Sequence, residues 1–420
     1  MRFNTLQEWL DWQEALHHSE IELGLDRVRP VLSALQADAR PFHLITVGGT
    51  NGKGSSVAML EAIYLAAGYR VGCYTSPHLL RYNERIRLNG EEIADSELMA
   101  AFDRVDQARA QTSITYFEFG TLAAIDLFYR QRPDVVIMEV GMGGRLDAVN
   151  LLDADLALVT NVALDHTAWL GEDREAIGYE KAGIFRSGRP AIFNERDVPR
   201  RLVQVAEEIG ANLYRLGREF DYQVQAHEWS LKGPDSVISG LPRPALKGEI
   251  QIRNAAGVLM AVSCLQSSLP VSPAQMRQGL LQVSVAGRMQ LLPGSCPILV
   301  DVAHNPHAAA TLAASLRERS VVGRTLAVVA MLADKDISGV LAELCAGIDV
   351  WFVAGLDVPR GTTADDLAER VSQTCPGAGV SRFDSVTEAY REAIESAGPE
   401  DRLLVFGSFY TVAEVLKQTV

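Results

Sequence analysis

The chain has 420 residues, 48% hydrophobic and 22% charged, enough to bury sizeable cores in two or three domains. Its net charge of −14 repels phosphates, which argues against a nucleic-acid or acidic-membrane partner and requires any phosphate site to be local. Five scattered cysteines (Cys73, Cys264, Cys296, Cys345 and Cys375) form neither a disulfide framework nor a zinc pattern, and no signal-peptide core or membrane-length apolar run occurs, so the expectation is a soluble cytoplasmic protein.

In chain order, residues 42–47 read as a buried strand, followed by glycines and a helix over 55–67 that Gly68 is placed to stop. A short strand follows at 70–74. Residues 116–131 read as a helix, because Phe117, Gly120, Thr121, Ala124, Leu127 and Phe128 share one face. Runs at 134–140 and 155–162 have strand length, and this alternation implies parallel βαβ units. Residues 215–250 are polar and turn-rich, which predicts short antiparallel strands, and a helix follows over 253–266. A second α/β set has strand-like runs at 298–300, 326–330, 350–353 and 403–406. Pro293-Gly294-Ser295 is a turn signal near the expected boundary. The expected division is an N-terminal and central domain over 1–287, a linker over 288–296 and a C-terminal domain over 297–420.

The strongest local signal is Gly48-Gly49-Thr50-Asn51-Gly52-Lys53-Gly54-Ser55, between a predicted strand and a predicted helix. Glycines let backbone N–H groups turn toward phosphate oxygens, and the helix N-terminus adds partial positive charge. Lys53 would reach the terminal phosphates; Ser55 supports the loop or a magnesium ion. The first glycine lies one residue closer than in the common P-loop, and Gly54 stands where Ser or Thr usually follows the lysine. The alternative is a glycine-rich turn with a surface lysine. Glu139 ends an apolar run suited to a buried parallel strand, where an acid faces the ligand crevice and suits a hard cation. A helix cap or a buried ion pair is the other reading for it.

The loop is followed by Thr75-Ser76-Pro77-His78-Leu79, Glu139-Val140-Gly141-Met142-Gly143-Gly144-Arg145-Leu146-Asp147, and Thr160-Asn161-Val162 with Asp165-His166. Glu180-Lys181-Ala182-Gly183-Ile184, Gly287-Arg288 and Asp301-Val302-Ala303-His304-Asn305-Pro306 come next in the same order. This series resembles the folylpolyglutamate synthase and dihydrofolate synthase family of Mur-type amide ligases, and it covers nearly the whole chain. The resemblance implies an α/β fold: a P-loop ATPase domain with a mostly parallel sheet and a small antiparallel sheet, plus a smaller Rossmann-like C-terminal domain.

It further implies that glutamate is joined to dihydropteroate and to the γ-carboxylate of tetrahydrofolates through an acyl phosphate, in an ADP-forming reaction. The co-substrate is ATP, the cofactor is magnesium (two ions), and the protein acts as a monomer on small molecules. By resemblance Ser76, Glu139 and His166 are magnesium ligands. Ser76 is otherwise an N-cap before Pro77, and His166 a structural histidine. Lys181 corresponds to a lysine that carries a carbamate in many relatives; read from the residues alone it is a solvated helix lysine beside Glu180. Thr50, Asn51, Gly52, Lys53, Gly54 and Ser55 hold ATP, joined by Asn254, Arg288 and Asp301 from the far side. Arg288 is otherwise a surface arginine. His304 contacts phosphate or the incoming amino acid, or begins a helix. Thr115, Tyr116, Phe117 and Glu118, with Leu146, Asp147 and Ala148, hold the pteroate, although Phe117 also fits the core stripe. The segment 79–86, with Arg81 and Arg85, resembles a mobile loop near that site, and Leu23-Gly24-Leu25 is a further candidate for touching the pterin.

Three rival readings compete with this one. A cell-wall Mur ligase carries a UDP-binding domain before its P-loop, and here the loop begins at residue 48. A P-loop switch or motor needs no Rossmann-like second domain. A non-catalytic relative would not keep Lys53, Glu139 and His166.

Overall fold

The run at 42–47 forms the strand His43–Gly48, buried in all but its first residue. It lies inside an eight-stranded sheet ordered Glu91–Glu92, Ile86–Leu88, Val71–Tyr74, Val135–Glu139, His43–Gly48, Leu156–Val159, Pro190–Phe193 and Asn212–Arg215. The pairs from Val71–Tyr74 to Asn212–Arg215 are parallel and the first two are antiparallel. Val135–Glu139 and Leu156–Val159 are buried along their whole length, as parallel strands covered by helices on both faces must be. The structure is a computed structural model, and it describes residues 1–36, 39–226 and 228–419.

The first helix after the glycines, Lys53–Ala66, starts two residues earlier than expected because Gly52, left-handed at φ 83°, already turns the chain into it. Its end is a Schellman motif: Tyr69 N–H donates to Tyr64 C=O and Gly68 N–H to Leu65 C=O, with Gly68 at φ 86°. Helix Pro273–Gln282 packs closely on it, and a Cβ at Gly279 would lie 2.5 Å from Ile63 Cα. Helix Tyr116–Gln131 has the predicted bounds. Thr115 and Glu118 form its capping box, and residues 118–128 are buried. The turn-rich region holds an antiparallel sheet of Asp221–Val224, Glu228–Lys232 and Val237–Pro242. Trp229 is buried there and donates its indole N–H to Pro242 C=O at 2.8 Å.

The second sheet has six strands, ordered Gln290–Leu292, Ile298–Val300, Arg402–Phe406, Thr325–Val329, Val350–Ala354 and Gly379–Phe383, parallel except for the first pair. The chain divides into two compact units, Met1–Ala245 with Ile252–Val283 and Leu246–Gln251 with Ser284–Val420. The 288–296 segment, expected as a linker, contains the strand Gln290–Leu292; the turn signal at Pro293-Gly294-Ser295 joins two strands of one sheet.

A second correction concerns the cysteines. Cys345 and Cys375 are joined as a disulfide, with Cα atoms 5.5 Å apart. Cys345 follows helix Ile337–Leu344, and Cys375 is the C-cap of helix Ala364–Thr374, so tertiary packing joins what 30 residues of sequence separate. Cys73, Cys264 and Cys296 are free. Among the described residues, no helix is long and apolar enough to cross a membrane.

Candidate active site

The glycine loop leaves the C-terminal end of His43–Gly48, where ligands bind in open α/β sheets. Its shape is imposed by the next strand's exit. Thr50 N–H donates to Asn161 C=O (3.1 Å), and Asn51 N–H to Asn161 Oδ1 (3.0 Å). Asn51 C=O accepts from the Thr160 hydroxyl (2.6 Å) and the Asn161 amide (3.1 Å). Thr50 Oγ1 donates to Ala163 C=O and accepts from Ala163 N–H. Thr160 and Asn161 therefore belong to the site's framework. Their presence in the sequence pattern was visible, but not this clamping role, which depends on backbone groups about 110 residues away.

The loop packs tightly. Gly49 (φ 138°) presses against Thr160, and a Cβ on Gly52 would lie 2.9 Å from Asn254 Oδ1. Asn254, expected to reach the nucleotide from the far side, is instead buried beside the loop within the same compact unit. Lys53 Nζ curls over the loop and donates to the carbonyls of Gly49 (3.1 Å) and Thr50 (3.2 Å). Gly54 and Ser55 fill the first helical turn, and Ser55 is buried.

Glu139 is the register partner of Val47, directly before the loop, and only 5% exposed. Ser76 donates its N–H to Glu139 Oε2 at 3.4 Å, so two expected metal ligands meet. His166 lies beyond the Ala163 contact, in left-handed conformation (φ 52°), and its N–H donates to Asp165 Oδ1 at 2.9 Å. The Glu139 carboxylate offers hard oxygen donors beside a phosphate-type loop, which fits magnesium, and Ser76 meets it here through its backbone N–H.

Lys181 is buried at 3% exposure, which overturns its reading as a solvated helix lysine. Burial, reinforced by the positive charge of Lys53, lowers its pKa from 10.5 to about 7, while Asp165 and Asp147 oppose the shift. Lys53, Lys181, Asp165 and Asp147 therefore share one electrostatic neighbourhood. Burial raises Asp147 to about 6, against the backbone N–H groups that it holds. Met142 donates to one of its oxygens (2.8 Å) and Val149 to the other (2.9 Å), so Asp147 shapes the loop that carries Leu146 and caps the turn Ala148–Leu151.

Of the expected pteroate segment, Thr115 and Glu118 are buried and spend their side chains on the helix cap. Tyr116 stands edge-on to Tyr82 (5.6 Å, 86°), with the Arg85 guanidinium 5.6 Å from its ring. Phe117 is half-buried against the core and reaches the backbone at Gly141, where a Cβ would lie 2.6 Å from its ring. Its core reading therefore holds, and it also borders the loop after Glu139. Ala148 is buried.

The other compact unit groups Arg288, Asp301 and His304. Asp301 accepts N–H bonds from Met289 and Ala303, both at 2.9 Å. Burial raises its pKa, and Arg288 counters this. The Arg288 guanidinium lies 5.2 Å from the Phe409 ring, and His304 stands 6.3 Å from the same ring, so Phe409 organises this cluster and went unnoticed in the sequence. His304 precedes the helix Pro306–Glu318, whose N-cap is Asn305. Its Nδ1 faces Val302 C=O at 2.8 Å; a carbonyl only accepts, so this nitrogen carries the proton.

Residues 47–262 match the Mur ligase middle domain, and residues 287–409 match the Mur ligase glutamate ligase domain. The dihydrofolate synthase/folylpolyglutamate synthase of Escherichia coli (strain K12) is 47% identical over 414 residues, covering 99% of this chain and 95% of that protein. The chain belongs to the dihydrofolate synthase/folylpolyglutamate synthase family of Mur ligases. A structure of E. coli FolC in complex with DHPP and ADP matches this family member at TM-score 0.93 and 46% identity, over 99% of this chain and 97% of that one. A bifunctional folylpolyglutamate synthase/dihydrofolate synthase with Mn, AMPPNP and L-glutamate bound matches at TM-score 0.89 and 44% identity, over 99% and 98% of the chains.

Proposed function

We propose that this chain is an ATP-dependent, ADP-forming ligase that joins L-glutamate to dihydropteroate and to the γ-carboxylate of tetrahydrofolates. It would act on small molecules, as a monomer in the cytoplasm. The observation that carries the reading is the convergence of Lys53, the Ser76–Glu139 pair and the buried Lys181 at the end of one parallel sheet. Near-full-length identity to E. coli dihydrofolate synthase/folylpolyglutamate synthase supports the substrate choice.

The reaction needs charge neutralisation and alignment more than a nucleophilic side chain. The carboxylate oxygen of the acceptor attacks the terminal phosphorus of ATP, and ADP leaves. The amine of glutamate then attacks the acyl carbon, the C–N bond forms, phosphate leaves and the amine loses a proton. The amides of Gly52–Ser55 and the Lys53 ammonium would hold the phosphates, while Thr50 and Asn51, whose amides bond Asn161, shape the loop around them. Ser76 and Glu139, with His166, would hold magnesium, which supplies positive charge to the transferring phosphoryl group. Lys181 has the lowered basicity that carbamate formation requires: its neutral amine adds carbon dioxide and releases a proton, giving an anionic oxygen donor for a second ion. Asn254, Arg288, Asp301 and His304 complete the nucleotide and glutamate contacts in this reading. Thr115–Glu118 and Leu146–Ala148 frame the pteroate.

The test is phosphate release from magnesium ATP plus glutamate, run with dihydropteroate and with tetrahydrofolate. Release with both, coupled to products one glutamate heavier, is expected. Release with tetrahydrofolate alone would leave only the chain-extending activity, and release with neither would overturn the reading.

A further inference from the structure

The N-terminal loop between Leu16 and Val28 is fastened to the head of helix Tyr116–Gln131 through a chain of charges. Ser113 gives its hydroxyl proton to Leu16 C=O (3.1 Å), so its oxygen accepts from His17 Nδ1 (2.7 Å). His17 Nε2 lies 2.8 Å from Glu22 Oε2, and a carboxylate only accepts. The other Glu22 oxygen pairs with Arg27 Nη1, and Arg27 Nη2 donates to Glu118 Oε1 at 2.6 Å. Glu118 Oε2 accepts Thr115 N–H at 2.7 Å, and the Thr115 hydroxyl accepts Glu118 N–H at 3.2 Å. The chain starts at Ser113 and returns at Thr115, stapling both sides of the buried Ile114. The same loop also donates Gly24 N–H to Leu146 C=O at 3.2 Å.

His17, His18 and Glu22 offer a set of metal donors. However, His17 spends both nitrogens on Ser113 and Glu22, which assigns it to the chain of charges instead. Glu118 is 4% exposed, and a carboxylate taken that far from water needs a fixed partner. Arg27 supplies it with a planar fork that holds two acids at once, which a point charge on a flexible stem does less well.

We propose that the His17–Glu22–Arg27–Glu118 chain is a positioning network that sets the helix head, and with it Tyr116 and Phe117, for the pteroate. This rests on the pteroate reading above. Arg27 is a positioning residue: it acts through Glu118 and the cap, and small displacements of substrate-holding groups cost large factors in rate.

The test compares Arg27→Met and Arg27→Lys with wild type in the full-length protein. Two readouts are taken: KM for dihydropteroate against KM for ATP, and hydrogen exchange at the Thr115 and Glu118 amides without substrate. Arg27→Met is expected to raise KM for dihydropteroate about tenfold with KM for ATP within about twofold, and to speed exchange at both amides at least about tenfold. Arg27→Lys, with one donor head for two acids, should fall between. Unchanged exchange in Arg27→Met, or equal rises in both KM values, would overturn the network. If the wild type fails to ligate dihydropteroate, the pteroate reading falls, while exchange at the two amides still decides whether the chain holds the helix head.

Discussion

Lys181 carries the most unusual electrostatics in the site. Its pKa falls from 10.5 to about 7, mainly through burial. Between these values the unfolded chain binds a proton that the folded chain does not, so stability rises with pH across this window. The cost of burying the amine is full below about pH 7 and gone above 10.5. In the metal-free, unmodified enzyme, Lys181→Met should therefore raise stability at pH 7 by roughly 2–4 kcal/mol, with the gain shrinking towards pH 10. Urea unfolding at pH 7 and at pH 9.5 checks this; a loss of stability at pH 7, or a pH-independent gain, would contradict it. Under the carbamate proposal, ligase activity should fall at least about a hundredfold in the same variant. Gly49 makes the complementary case. At φ 138°, with its Cα pressed on Thr160, it has no room for a methyl group. Gly49→Ala should weaken ATP binding more than tenfold and destabilise by about 1–3 kcal/mol, as titration calorimetry and thermal melts would show. The buried place of Glu139 beside the loop was legible because the acid ends an apolar run downstream of a P-loop; without that loop, a cap or an ion pair was the better reading. The burial of Lys181 was not, since its helix is amphipathic and Glu180 beside it suggested a solvated face. Phe409 was hidden for a similar reason: an aromatic near a C-terminal helix reads as core until Arg288 is seen against its ring.

Helix and strand positions followed from periodicity where one face or the whole run is apolar. Tyr116–Gln131 was read to the residue because a capping box opens it and its buried face is continuous. Boundaries slipped where glycine geometry decides them, as at Gly52, whose left-handed backbone starts the helix at Lys53. The three-stranded sheet announced itself through its turns. The strand Gln290–Leu292 did not, because three residues beside a Pro-Gly turn resemble a linker. The Cys345–Cys375 bond was invisible because only tertiary packing brings two helix ends to 5.5 Å between Cα atoms, a separation suited to a disulfide. Closing a loop of 30 residues should stabilise its unit by roughly 3–4 kcal/mol in the chain-entropy account. Thiol titration in denaturant should find three reactive cysteines before reduction and five after, and reduction should lower that unit's melting temperature by roughly 10 °C. Five thiols without reductant would show that the bond does not form in the isolated protein.

The whole molecule distributes these features over two units, each with its own core. One cluster gathers Leu44, Met138, Phe119 and Val159 around the eight-stranded sheet; the other gathers Val329, Trp351, Leu404 and Phe406 around the six-stranded sheet. The glycine loop, Asn254, Glu139 and Lys181 belong to the first unit, while the disulfide, Arg288 and Asp301 belong to the second. Separate cores permit separate melting, so two perturbations should address two transitions in calorimetry. Reduction of the disulfide should lower only the transition of the unit that contains it. Lys53→Ala should leave both transitions near their wild-type temperatures without nucleotide, because its hydrogen bonds run to the carbonyls of its own loop, and the loss of its attraction to Asp147 is offset by the loss of its repulsion of Lys181. In the wild type, magnesium ADP at a hundred times its dissociation constant should stabilise the unit carrying the loop by about 2.7 kcal/mol, and Lys53→Ala should abolish most of that shift. If reduction and nucleotide instead move one common transition, the two units unfold as a single cooperative body, and the division of the core would have no thermodynamic counterpart.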